Sequence, residues 1–161
     1  MPKLLVAAVV AVLVALIGIT LFGNDKAPAI QVNTLDGEVV NLGHPGKPTL
    51  VNFWATTCPG CIAEMPHLAK MKQRLGKDFQ IVAIAMAYDP IVQVQKYRKA
   101  HAYPFLFAHD STGEIAAAFG GVSLTPTSFL IAPNGNIVYR KIGEVDYDKV
   151  EARVRAMLPP R

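Results

Sequence analysis

The sequence predicts one α/β domain with a mixed central β-sheet flanked by helices, placed behind a single apolar helix at the N-terminus. Residues 4–22 contain no charged side chain, which sets them apart from the rest of the chain. After them, short apolar runs alternate with segments of helical periodicity, and this order indicates a partly parallel sheet covered on both faces. The last two apolar runs flank Pro133-Asn134-Gly135, a turn sequence that makes one strand pair antiparallel.

The uncharged run from Leu4 to Phe22 predicts a transmembrane signal anchor over residues 1–23. As a helix, this run would span the ~30 Å hydrocarbon core of a bilayer. A buried core helix and a cleaved secretion signal are the alternatives, but a cleaved signal usually has a shorter apolar region followed directly by a small-residue cleavage site. Lys3 favours a cytoplasmic N-terminus, so the rest of the chain is expected outside the cytoplasm. Residues 24–29 then form a short tether, and residues 30–161 form the folded domain.

The charge distribution argues against nucleic acid as a partner. The chain has a net charge of +4 from 16 basic and 12 acidic residues. The basic residues are scattered, with no run of five or more Lys or Arg. The sequence also contains no internal repeat, so one domain of ordinary size is expected after the tether.

The folded domain is expected to begin with a β-hairpin, because Asp36-Gly37 lies between two short β-prone segments. Residues 49–54 and 79–86 are apolar and β-prone, so both are predicted to be buried strands. Between them, apolar residues from Ile62 to Leu75 recur at helical spacing, and Pro66 is expected to kink that helix. The remaining elements are predicted to be a helix over 89–101, a strand over 105–107, a short helix over 112–119, strands over 127–132 and 136–142, and a helix over 146–158.

Both cysteines of the chain lie at the junction between the first buried strand and this helix, separated by two residues. Cys58 is expected at the helix N-terminus, where unpaired N–H groups and the macrodipole stabilise a thiolate. Cys61 lies about one turn further along, so it is suited to attack a mixed disulfide formed at Cys58. A disulfide that closes so short a loop constrains the unfolded chain little, which favours a redox role over a structural one.

A metal clip and a copper site are alternative interpretations of the C-x-x-C pair. Zinc would need two more Cys or His ligands. The four histidines form no spaced pair; they are His44, His67, His101 and His109. Cu(I) needs only soft ligands and could use both thiolates together with Met65. We therefore expect no structural metal, and we keep a copper-handling module as an alternative function.

A proline directly precedes the strand predicted over 127–132, in the segment Leu124-Thr125-Pro126. A proline at such a position is either a sheet-edge device or part of a cis peptide. A cis Thr125–Pro126 bond would leave the backbone of Thr125 open to pair with an extended partner chain. A trans bond is the default for any proline.

Three segments resemble the thioredoxin-like proteins of the TlpA/ResA type. The segment F-W-A-T-T-C-P-G-C-I-A-E-M-P resembles the active-site segment of that family. The segment T-P-T-S-F-L-I-A-P-N-G-N-I-V resembles its cis-proline segment. The segment D-S-T-G-E-I-A-A-A-F-G-G-V resembles the stretch before that segment. The match covers roughly residues 29–158. It implies a thioredoxin-like fold with an α/β insertion, placed on the extracytoplasmic side of the bacterial cytoplasmic membrane. It also implies thiol–disulfide exchange with other proteins, with no cofactor beyond the redox-active disulfide.

The resemblance assigns roles to individual residues. It makes Cys58 the nucleophile, Cys61 the resolving thiol and Pro126 the cis-proline. Glu64, one turn past Cys61, could move protons to and from it, and a solvated helix glutamate is the alternative interpretation. Client proteins are expected to bind around the disulfide, at Trp54, Thr57, Pro59, Gly60, Thr125 and Pro126.

The chain departs from the family pattern at several positions. Thr57 stands where the family usually has Trp, and Asn52 stands where plain thioredoxins have a buried acid. The Thr127-Ser128 pair lacks the glutamate that cytochrome-maturation reductases often carry after the cis-proline. We expect reduction of client disulfides, of the cytochrome c maturation or copper-site assembly type, with electrons from a membrane thiol–disulfide protein. A thiol peroxidase is a further alternative, although Pro48 is too far from Cys58 to complete the peroxidase motif.

Overall fold

The computed structural model describes residues 25–159 of the chain. The predicted anchor over residues 1–23 lies outside the described residues, so it stays a prediction. Among residues 25–159, none of the helices combines the length and the apolar composition that a bilayer span requires.

Strands and helices alternate through most of the described chain. The strands are β1 (Gln31–Asn33), β2 (Val39–Asn41), β3 (Thr49–Trp54), β4 (Gln80–Ala85), β5 (Leu106–His109), β6 (Thr127–Ile131) and β7 (Ile137–Ile142). The helices are α1 (Pro59–Leu75), α2 (Ile91–Ala100), α3 (Glu114–Ala118) and α4 (Tyr147–Met157), with a short 3-10 turn at Gly76–Asp78.

The central sheet has the strand order β5-β4-β3-β6-β7. β3 pairs in parallel with β4, and β4 pairs in parallel with β5. β6 pairs antiparallel with both β3 and β7. The predicted mixed sheet is therefore confirmed. β1 and β2 form a separate antiparallel hairpin, as the Asp36-Gly37 turn predicts.

Side chains of β3 alternate between two cores, and all six of its residues are buried. Leu50 and Trp54 belong to a core that also contains residues of α1, α2 and α4. Val51 and Phe53 belong to a second core, shared with α3 and the hairpin. Because both faces are covered, the strand is apolar from Leu50 to Trp54 and is interrupted there only by Asn52.

The N-terminal chain and the C-terminal end of β3 lie at opposite ends of the sheet. The backbone N–H of Ala27 donates to the carbonyl of Gly135 at 2.9 Å, in the turn between β6 and β7. That turn follows Ile131, which pairs with Thr49 at the start of β3. The loop that follows β3 and carries both cysteines is therefore one strand length away from the point where the described chain begins.

The structure refines several predicted boundaries. The short helix predicted over 112–119 is confined to α3, because Gly113 precedes it in the left-handed conformation with φ of 78°. The helix that was expected to kink at Pro66 continues through that residue as the 17-residue α1. α2 and β5 occupy the interval in which the resemblance implies an α/β insertion.

Candidate active site

Cys58 and Cys61 form a disulfide where the loop after β3 enters α1. Cys58 is the N-cap of α1, and its Sγ accepts a hydrogen bond from the backbone N–H of Cys61 at 3.2 Å. Pro59 lies in the first turn of the helix. Backbone N–H groups in that turn make no hydrogen bond within a helix, so proline, which has no N–H, costs nothing there. The other free N–H groups of this turn and the helix macrodipole favour negative charge at Cys58 Sγ, so this sulfur suits a thiolate nucleophile.

The two sulfurs differ in accessibility. Cys58 is partly exposed, whereas Cys61 is fully buried and packs in the same core as Trp54. A client sulfur can therefore approach Cys58 but not Cys61. This asymmetry is what a nucleophile and a resolving thiol require, because only the first must meet the client.

Glu64 lies one turn beyond Cys61 and is buried, with 1% of its surface exposed. The alternative of a solvated helix glutamate is therefore wrong. Its Oε1 accepts the backbone N–H of Val145 at 2.7 Å, and its Oε2 accepts an N–H of the Asn52 amide at 2.9 Å. Burial raises the pKa of Glu64, and these two hydrogen bonds lower it in part. Residues three apart share a helix face, so a buried carboxyl group lies beside the resolving thiol.

Asn52 connects Glu64 to the strand that follows the cis-proline. Its second amide N–H donates to Ser128 Oγ at 2.9 Å, across the β3–β6 pair in which the two residues are direct partners. Asn52 Oδ1 is buried and has no hydrogen-bond partner among the described residues. All three side chains are inaccessible to solvent, so they form a polar cluster inside the core, and its member Glu64 follows Cys61 by one helical turn.

The Thr125–Pro126 peptide bond is cis and directly precedes β6. The default expectation of a trans bond is thus wrong, and the cis-proline implied by the resemblance is correct. A carbon atom added at Gly60 would lie 3.9 Å from Pro126 Cδ, so the cis-proline packs close to the turn between the cysteines. Thr125 is partly exposed, and its Oγ1 lies 3.3 Å from the hydroxyl of Tyr88. Pro126 is itself buried, so the partly exposed Thr125 is the residue that brings this segment to the surface beside the turn between the cysteines.

The predicted client-binding residues divide into exposed and buried ones. The exposed ones are Thr57, Pro59 and Gly60; Thr125 is partly exposed, whereas Pro126 is buried. Trp54 is fully buried and packs against Tyr97 and Phe107, with ring centroids 5.0 and 5.6 Å away. Its side chain offers no surface to a client. The predicted client contact of Trp54 is therefore corrected to packing beneath the active site, because β3 directs this ring into the core.

Comparison with known proteins identifies the family. A family model described as Redoxin matches residues 23–158. The chain belongs to the Redoxin family. It is similar to the thiol-disulfide oxidoreductase ResA of Bacillus thuringiensis, with 31% identity over 136 residues that cover 83% of this chain and 78% of the relative. It is also similar to the sporulation thiol-disulfide oxidoreductase A of Bacillus subtilis, with 27% identity over 79% of this chain and 81% of the relative.

This Redoxin also resembles a crystal structure of a thiol:disulfide interchange protein of the thioredoxin family from Chlorobium tepidum. The TM-score is 0.71 and the identity 28%, over 83% of this chain and 96% of that one. The resemblance to TlpA/ResA-type thioredoxin-like proteins is therefore confirmed. The Redoxin is a thiol–disulfide oxidoreductase with a thioredoxin-like α/β fold, and it carries a C-x-x-C disulfide between Cys58 and Cys61.

Asp89 is a site residue that the sequence patterns did not identify. It is buried, with 1% of its surface exposed. Its carboxylate accepts both the backbone N–H and the hydroxyl of Thr56, each at 2.6 Å. Thr56 lies two residues before Cys58, so Asp89 holds the loop that presents the nucleophile. In the sequence, Asp89-Pro90 indicated only the start of a helix. The signal that could have identified Asp89 as a site residue is an acidic side chain placed so soon after a buried strand.

Replacing Asp89 with alanine is expected to lower the free energy of unfolding of the Redoxin by about 3 kcal/mol or more. Hydrogen bonds to a charged group contribute roughly 1.5–3 kcal/mol each, and the variant leaves the Thr56 N–H without its partner. Urea denaturation of the oxidised full chain measures the change. The matched control is Asp148→Ala on the exposed face of α4, which is expected to change stability by less than about 0.5 kcal/mol. Equal stability of the two variants would contradict the role of Asp89.

Proposed function

We propose that this Redoxin reduces disulfides of client proteins on the periplasmic side of the bacterial cytoplasmic membrane. In this proposal residues 1–23 form a single-pass anchor, residues 24–29 a tether and residues 30–161 the catalytic domain. One observation carries the exchange mechanism: a partly exposed sulfur at a helix N-terminus is joined to a fully buried one, and a buried carboxyl group follows one helical turn later. The uncharged run over residues 4–22 supports the membrane location.

The first step is attack on the client. The Cys58 thiolate attacks one sulfur of a client disulfide, and a new bond forms between Cys58 Sγ and that sulfur. The client S–S bond breaks, and its second sulfur leaves as a thiolate that takes up a proton. The positive end of the α1 macrodipole stabilises the attacking thiolate.

The second step releases the client. The Cys61 thiol transfers its proton to the Glu64 carboxylate, and the resulting thiolate attacks Cys58 Sγ. The Cys58–Cys61 bond forms while the bond between Cys58 and the client breaks, and the departing client thiolate is protonated. The client has then gained two electrons and two protons, and the C-x-x-C pair is oxidised.

The oxidised pair must be returned to the dithiol by a partner that supplies two electrons and two protons. A thiol–disulfide protein of the same membrane fits this requirement, since it can use the same exchange chemistry at Cys58. No cofactor takes part in this proposal, because the disulfide itself carries the electrons.

The client is proposed to bind on the surface formed by Thr125, which precedes the cis-proline, and the C-x-x-C turn. Thr57, which replaces the usual Trp, leaves a small side chain beside the nucleophile. Two large apolar side chains nearby are unusually exposed, Tyr88 at 59% and Leu124 at 60%. Tyr88 contacts Thr125 and Leu124 precedes it, so these two residues can supply the apolar contact that Thr57 lacks.

The reduction potential of the Cys58–Cys61 couple tests the proposed direction of electron flow. We expect about −250 mV or lower, in the range of thioredoxin, when the full chain in detergent is equilibrated with thiol redox buffers. A potential near about −120 mV is typical of a protein that donates its disulfide and would contradict the reductase proposal. The variant Cys58→Ser supplies the baseline. If the redox titration of wild type cannot be distinguished from that baseline, the proposal of thiol–disulfide exchange is rejected and copper handling is favoured.

A further inference from the structure

The Asn52 amide makes an unusual set of hydrogen bonds for a buried side chain. Both of its N–H groups are used, one on Glu64 Oε2 and one on Ser128 Oγ, each at 2.9 Å. Its carbonyl oxygen is buried and accepts no hydrogen bond from the described residues. A buried acceptor without a donor costs free energy, so its persistence here calls for a physical reason.

The hydrogen bonds around Glu64 suit only its charged form. Oε1 faces the backbone N–H of Val145, and Oε2 faces the N–H of Asn52. A carboxylate accepts both, but a carboxylic acid carries a proton that needs an acceptor. The backbone N–H of Val145 cannot become an acceptor. A side-chain amide can, because rotation by about 180° exchanges its oxygen and its nitrogen.

We propose that Asn52 turns its amide over when Glu64 takes up a proton. After rotation, Asn52 Oδ1 accepts the O–H of Glu64 and, with its second lone pair, the hydroxyl hydrogen of Ser128, which is free to rotate. The two hydrogen bonds of Asn52 are therefore kept in each state with donor and acceptor exchanged, and the bond from Val145 is unchanged. In the protonated state the NH₂ group takes the buried position that Oδ1 occupies in the charged state, and it has no partner there among the described residues. Asn52 acts as a positioning residue that hydrogen-bonds to Glu64 both as a carboxylate and as an acid.

The remaining groups near Glu64 cannot take over this role. Those that interact with it electrostatically are Glu144 before α4, Tyr139 on β7 and Tyr147 on α4. None of these described side chains is hydrogen-bonded to the Glu64 carboxyl group; Tyr147 donates to Glu144. Asn52 is thus the one side chain of the described set that can respond directly to the proton on Glu64.

The variant Glu64→Gln tests the rotation, because its side chain resembles the protonated acid. The carbonyl of the substituted amide must accept the fixed N–H of Val145, which leaves the NH₂ group of that amide facing Asn52. Asn52 is then expected to present Oδ1. In NMR spectra of the full chain in detergent micelles, wild type at high pH should show nuclear Overhauser contacts from the Asn52 amide protons to the Glu64 Cγ and Ser128 Cβ protons. These contacts should be lost in Glu64→Gln.

The control Glu144→Gln removes a neighbouring charge without changing Glu64, so its Asn52 contacts should match wild type. A second measurement on wild type tests the rotation even if the Glu64→Gln variant folds poorly. In wild type the same contacts should disappear as the pH falls through the Glu64 titration. Contacts that persist in Glu64→Gln, or through that titration, would overturn the proposal. The inference rests on the proposed proton transfer to Glu64, but its readout is independent of catalysis. Loss of the contacts together with normal release kinetics would keep the rotation and reject the catalytic role.

Discussion

Replacing Cys61 with serine is expected to abolish turnover and to leave the substrate sulfur covalently attached to Cys58. The attack by Cys58 needs only the exposed thiolate at the N-terminus of α1, so the first step survives the substitution. Release needs the thiol of residue 61, which serine does not supply. With insulin as the disulfide substrate, non-reducing electrophoresis and intact mass measurement should show an adduct that accumulates to about one per chain.

The reciprocal variant Cys58→Ser is the matched control. It keeps one thiol, but that thiol is fully buried in the core beneath the loop. We therefore expect no adduct with insulin under the same conditions. Equal trapping by both variants would mean that either sulfur can reach a client, and it would remove the assignment of nucleophile and resolving thiol.

Replacing Glu64 with glutamine is expected to slow the release step by about 10²-fold, which is the lower end of what a positioned proton acceptor contributes. The attack by Cys58 should change by less than about 2-fold, since no proton moves to Glu64 in that step. Stopped-flow reaction of the reduced full chain with an aromatic disulfide reagent separates the two steps. Attack by Cys58 and release by Cys61 each liberate one coloured thiolate.

The release rate is expected to depend on pH in a direction that the pKa of Glu64 determines. Burial raises the pKa of Glu64 above its ordinary value. Glu64 can accept a proton only when it is ionised, so the release rate of wild type should fall as pH decreases through that raised pKa. In Glu64→Gln this inflection should be absent, and the slow rate should vary only with ionisation of the thiols.

Glu144→Gln serves as the matched control for the kinetics too. Glu144 is exposed and raises the pKa of Glu64 by charge repulsion alone. Its removal should move the inflection to slightly lower pH and keep the full release rate above it. A release rate that is unchanged in Glu64→Gln would exclude Glu64 as the proton acceptor.

The part of the site that follows from local sequence could be predicted. An apolar β-prone run, two cysteines and Pro59 lie close together in the chain, and together they fix the strand, the loop and the helix N-terminus. The nucleophile therefore occupies the position that short-range patterns indicate. The hairpins at Asp36-Gly37 and Asn134-Gly135 are of the same kind, because each depends on residues adjacent in the chain.

The polar cluster could not be predicted, because distant segments assemble it. Glu64 meets a backbone N–H that lies 81 positions further along, and Asn52 meets a hydroxyl 76 positions away. Helical periodicity places Glu64 at the edge of the apolar face of α1. At that position the spacing is equally compatible with a buried side chain and with a solvated one. Only the β3–β6 register and the loop before α4 close the site over this carboxyl group.

The placement of the first described residues has a practical consequence for immobilising this enzyme. Ala27 is bonded to the turn at Gly135, and the length of β3 separates that end of the sheet from Cys58. A six-residue strand is about 20 Å long. A support attached at the Ala27 end of the described domain would lie about one strand length from Cys58 and would leave the exchange surface free for macromolecular substrates.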